Sequence, residues 1–111
     1  EAIALRSGHS VDVVPPQSSK LSVVVRVREL AGRGNILRIG DRGRWPGNDY
    51  ALLNHVHALS ADEVSPDPCG GWNIAPAGHR GAQATLGYLK RLKATKGGLR
   101  FTAATTKRSG R

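Results

Sequence analysis

Methionine is absent from the whole chain, position 1 included, and cysteine occurs once. The missing methionine suggests a processed chain or a piece of something longer, with trimming of the initiator residue as the plainer alternative. A lone Cys69 excludes an internal disulfide, so a reducing, cytoplasmic setting is the expectation. Aromatic residues make up only 5%, with a single phenylalanine, so 111 residues allow one small domain with a modest core, or part of a larger one. No apolar run is long enough to cross a bilayer. The opening Glu1-Ala2-Ile3-Ala4-Leu5 lacks the basic and long apolar segments of a secretory leader, so no membrane partner is expected.

Acidic residues are also scarce, 8 against 17 Lys and Arg, but the imbalance is local. Residues 90–111 hold eight Lys or Arg and no acid, whereas residues 1–89 hold nine basic and eight acidic residues. Eight of the nine net positive charges therefore belong to the C-terminal end. Two readings stay open for it. Residues 94–111 are a solvated, disordered tail, with an edge strand at 99–101, or they form an arm for nucleic acid with salt-steep binding. Phe101 is the one base-stacking aromatic there, which weakens the second reading.

What the chain does have is a patterned stretch at 35–53. Ile36, Leu37 and Ile39 lead into Gly40-Asp41. A loop of Gly, Arg, Trp and Pro follows, and Asn48-Asp49 precedes Ala51, Leu52 and Leu53. This predicts a buried strand, a carboxylate-bearing loop and the start of a helix over about 49–54. Ligands of open α/β sheets bind beyond the carboxyl ends of strands, and carboxylates there suit a hard cation. The bland alternative makes Asp41 a turn residue and Asp49 a helix N-cap.

Around it, Val11–Val14 predicts a strand closed by Pro15-Pro16. Residues 20–31 are ambiguous: Val23, Val25 and Val27 alternate as in a strand, while Val23, Val27, Leu30 and Ala31 share a helical face. Residues 35–40 and 56–60 predict strands, 62–79 a long irregular loop, and 80–93 a helix striped by Ala84, Leu86, Leu89 and Leu92. The alternation of strands and helices predicts α/β architecture with parallel pairing.

In this order the chain resembles the C-terminal part of haloacid dehalogenase (HAD) superfamily phosphatases, in the branch that acts on sugar phosphates. The elements that carry the resemblance are a strand at Val11–Val14, Ser19-Lys20 opening a helix, a strand ending in Gly40-Asp41, and a nearby Asn48-Asp49. It covers about residues 10–54 well and fades toward Leu92. It implies a partial HAD-like Rossmannoid core over 1–93, with parallel strands and flanking helices, and it tips residues 20–31 toward helix. It further implies Mg2+ as cofactor and a phosphorylated small molecule as partner. Asp41 and Asp49 would hold the metal, Asp49 directly or through water, and Lys20 would neutralise charge at the phosphoryl group. Ser19, Asn48, Arg42, Arg44 and Trp45 would border the phosphate or substrate. Two departures stand out. Residues 42–47 enlarge the family's short interval before the second Asp. No Asp-x-Asp-Gly-Thr nucleophile motif precedes Lys20. The chain thus reads as the back half of a phosphatase site, inactive alone.

The alternatives are a small basic nucleic-acid-binding module and a non-catalytic dimer joined through an exposed sheet edge. His55 and His57, expected on opposite faces of a strand, match no zinc pattern with His79 and Cys69. Trp72 is expected to cap the core. Arg42 or Arg44 against Trp45 is either a ligand contact or a local cation–π pair.

Overall fold

A computed structural model describes residues 1–102. Its centre is a parallel strand pair, β3 (Arg38–Arg42) and β4 (Ala58–Glu63), with Arg38 opposite Ala58 and Gly40 opposite Ser60. The short helix α2 (Tyr50–Leu53) lies in the crossover between them. β4 begins Ala-Leu-Ser-Ala, and all four residues are buried. Small side chains on a doubly covered strand let helices approach from both faces. α2 and α3 (Gly81–Arg91) both pack on this pair.

Tyr88 is the anchor of α3 and is 1% exposed. Its hydroxyl lies 2.8 Å from Ser60 O and 3.1 Å from Asn73 Oδ1 as acceptors, and it accepts from Ile74 N at 3.0 Å. One phenol thereby ties helix, strand and the 62–79 loop together. The backbone of that loop also extends the sheet beyond β4, where Ser60 N donates to Trp72 O at 2.8 Å. Gly71 allows this approach, because a Cβ there would fall 2.4 Å from Ala58 O.

Two antiparallel hairpins flank the centre: β1 (Ile3–Arg6) with β2 (Val11–Val14), and β5 (Leu92–Thr95) with β6 (Gly98–Phe101). The helix α1 (Leu21–Ala31) buries only Val24, leaving Val23, Val25, Val27 and Leu30 exposed. It stops where Gly32, at φ 78°, donates to Arg28 O.

The mixture of helices and strands agrees with the α/β expectation, and residues 21–31 are helical. The finer topology differs. Among the described residues the strands form three separate two-stranded sheets. Val11–Val14 pairs back on Ile3–Arg6, so it does not join the parallel pair. The reason is local: Ser7 and Ser10 close a turn through Ser7 N to Ser10 O and Ser10 N to Ser7 Oγ. Strand 35–40 is shifted to 38–42 and strand 56–60 to 58–63, because the ladder opens where Arg38 N donates to His57 O. His55 and His57 fall in the preceding turn, with rings 5.4 Å apart, and do not face opposite ways. Trp72 is exposed and caps nothing, since only its backbone meets β4.

The expected disorder from residue 94 is corrected as far as Thr102. The helix runs directly into β5, and Lys96-Gly97 makes a two-residue hairpin turn with Gly98 at φ 120°. Phe101 seats this hairpin edge-on against Tyr88, with Arg91 5.3 Å above its ring. The edge strand expected at 99–101 lies within β6. Residues 103–111, which carry the rest of the basic end, lie outside the described residues.

Replacing Tyr88 by Phe leaves Ile74 N and Ser60 O without their buried partner. The expected loss is about 1–3 kcal/mol in unfolding free energy, read from urea denaturation, with the fold retained.

Candidate functional site

The register of β3 against β4 shifts between Gly40 and Arg42. At that shift two successive backbone N–H groups turn toward one acceptor. Asp41 N and Arg42 N donate to Asp49 Oδ2 at 2.9 and 3.1 Å. Such a backbone concavity is an anion cradle, and here a side chain of the same fold fills it. Gly40 is what lets it in: a Cβ at Gly40 would lie 2.8 Å from both Asp49 Cγ and Oδ2. The other carboxylate oxygen, Oδ1, takes the Lys20 ammonium in an ion pair.

The enlarged loop folds so as to deliver Asp49. Gly47 N donates to Arg44 O, and Asp49 N donates to Arg42 O at 3.1 Å. A Cβ at Gly47 would collide with Arg42 O at 2.2 Å. Asp49 precedes α2, yet its carboxylate makes no capping hydrogen bond to that helix. It stands at the N-cap position, as the bland alternative expects, but its carboxylate is turned to β3 and not to the helix.

Lys20 comes from the start of α1. Ser19 Oγ accepts from Leu21 N at 3.1 Å and Ser19 O accepts from Ser22 N, so Ser19 shapes the helix start. Lys20 keeps 45% of its side-chain surface exposed, while Asp49 is 3% exposed. The pair joins open solvent to a buried anion.

The two aspartates are driven apart in acidity. Burial pushes Asp49 upward, but the Lys20 ammonium and the two backbone N–H donors outweigh it and hold Asp49 below the ordinary value. Asp41 is raised, first by burial, then by the hydrogen bond its protonated form makes to Asp49 and by the Asp49 charge. Arg42 and Lys20 offset this only in part.

Lys20, Asp41 and Asp49 are thus gathered at the carboxyl end of β3. The other expected site residues have separate local partners. Arg42 Nη1 pairs with Glu63 at 3.2 Å and Asp62 at 3.7 Å. Asn48 N donates to Arg6 O, which ties β1 to the loop, and Asn48 Oδ1 is buried without a partner. Trp45 packs edge-on against Tyr50 at 5.4 Å, in place of the cation–π pair. Arg44 and Trp45 line a small cleft shared with Arg6, Ser7, Arg42 and Glu63.

Sequence reasoning missed Asp62 and Glu63. They end β4 beside Arg42, and Asp62 also meets Arg80 at 4.0 Å. The signal was present, because Ala61-Asp62-Glu63 closes an apolar run just as Gly40-Asp41 does. Among the described residues no three His, Cys, Asp or Glu side chains are grouped to hold a metal by themselves. Family models, curated proteins and solved structures yield no match to this chain.

The opposed shifts set the pH dependence of stability. On acidification from neutral, the native chain takes up the Asp41 proton before the unfolded chain does, so stability rises. Below the ordinary aspartate value of 3.8, the unfolded chain protonates Asp49 first and stability falls. Urea midpoints between about pH 7 and about pH 3 should pass through a shallow maximum. Asp41→Asn should abolish the rise and keep the fall.

Proposed function

We propose that this chain is the C-terminal part of a Mg2+-dependent phosphohydrolase of the HAD kind, acting on phosphomonoesters such as sugar phosphates. The observation that carries the reading is the joining of Lys20, Asp41 and Asp49, distant in sequence, at the carboxyl end of a parallel strand. Gly40 and the register shift serve that cluster, which accounts for the Gly-Asp step within β3. An unpaired outer edge of β3, beside the cluster among the described residues, suits a further strand bearing a nucleophile.

The residues present fit Mg2+ through Asp41. Its carboxyl is held above its ordinary value by burial and by Asp49, and a divalent cation relieves that penalty. Mg2+ commonly takes only one or two carboxylates, with water and substrate phosphate completing its shell. When bound, the ion neutralises charge on the phosphoryl oxygens. Asp49 has its oxygens committed to Lys20 and two backbone donors, so it positions Lys20 and fixes the β3 bulge. Lys20, on the solvent side of the pair, offers its remaining donors to a phosphate oxygen and stabilises charge that develops in transfer. Arg42 is already neutralised by Asp62 and Glu63, so it braces the loop.

The chain alone should turn over a generic phosphomonoester poorly, since it holds no nucleophile motif. Joined to its full coding sequence it should hydrolyse p-nitrophenyl phosphate with Mg2+, and Asp41→Asn should cost about 10²-fold or more in turnover. Equal turnover in that variant rejects the reading.

A second reading, a non-catalytic dimer, is favoured by the exposed valines of α1 together with the open β3 edge. It expects concentration-dependent dimerisation in sedimentation, and a monomer at high concentration rejects it.

A further inference from the structure

The amino end of β3 carries a second charge, and this one is unanswered. Arg38 is 8% exposed. Its guanidinium meets no carboxylate and donates no hydrogen bond among the described residues, and its Nε is sealed from solvent without a partner. The surroundings are cationic. Burial, and after it the charge of Arg28 in the last turn of α1, lower Arg38. His55 is depressed by burial, then by Arg38, His57 and Arg28. Arg38 is placed there by the ladder itself, since its N–H donates to His57 O, while His57 N donates to His55 Nδ1 at 3.0 Å. The neighbouring acid on α1, Glu29, is turned to Arg26 at 3.1 Å.

A guanidinium whose Nε is buried without a partner, and which has no counter-charge, costs a fold stability. A methionine or leucine would fill the position without that cost. The planar fork of arginine matches carboxylates and phosphates, and further cations beside it deepen the same preference.

We infer that Arg38, backed by Arg28 and His55, is an oxyanion seat that receives a carboxylate or phosphate group. The group belongs either to a free small anion or to an acidic side chain of another polypeptide. The seat lies at the end of β3 away from Asp41, and it stands or falls independently of the phosphohydrolase reading.

The test is nuclear magnetic resonance on the 15N-labelled chain at constant ionic strength. Sodium phosphate and, separately, glutarate are added while the Arg38 Nε–Hε signal and the His55 ring signals are followed. The expected result is a saturable shift at Arg38 for at least one anion, with the His55 titration midpoint moving upward. Arg38→Met should abolish saturation. Arg28→Gln, an exposed change that spares the core, should weaken binding severalfold. Arg33→Ala should leave it unchanged. Tighter saturation by phosphate assigns a phosphorylated small anion, and tighter saturation by glutarate assigns an acidic side chain. Shifts that stay linear for both anions up to about 50 mM, or saturation that survives Arg38→Met, overturn the inference. Should Arg38→Met fail to fold, Arg28→Gln alone decides, since undiminished binding there also overturns it.

Discussion

The buried carboxylate of Asp49 is the group on which this end of the molecule depends. A charge 3% exposed is tolerated only when its lone pairs are met, and here three donors meet them: Asp41 N, Arg42 N and the Lys20 ammonium. Each donor comes with a structural requirement. The two backbone donors need the register shift in β3, the approach of the carboxylate needs Gly40, and the ammonium needs α1 to begin where it does. Hydrogen bonds to charged groups contribute about 1.5–3 kcal/mol each. The Lys20 contact is discounted because that side chain is 45% exposed.

The same carboxylate sets the chemistry around it. By remaining ionised it keeps Asp41, its close neighbour, hungry for a proton or a cation. Burial and like charge act together on Asp41, and that combination is how two similar acids acquire different roles. The packing of α3 on β4 is organised by a neutral group instead. Tyr88 satisfies Ser60 O and Ile74 N without any charge, and Phe101 closes over its ring. The charged cluster and the aromatic anchor grip opposite parts of the same parallel pair.

Elsewhere the molecule leaves surfaces and charges unspent. The α1 valines face outward, Arg38 has no counter-ion, and β3 pairs on one side only among the described residues. Each raises the free energy of the chain as described, and each is relieved by something that pairs, covers or neutralises it.

The periodic segments were legible because their signal is local. Helix α3 follows from its apolar stripe, and the Gly-Asp strand end and the helix after Asp49 follow from composition and order. Boundaries were less legible. His55-Val56-His57 has strand-like residues, but the ladder starts only where Arg38 N finds His57 O. The β5–β6 hairpin was hidden because its residues read as polar and basic, and its order comes from Tyr88 and Arg91 contacting Phe101. By itself, the sequence determined the helix near 81–91 and, with shifted bounds, the strand at 38–42, together with the residue types Lys20, Asp41 and Asp49, while its periodicity left 21–31 open between strand and helix. Only tertiary structure decided what those residues do. An aspartate before a helix reads the same in sequence whether its carboxylate caps that helix or, as in Asp49, turns to the backbone donors of a neighbouring strand.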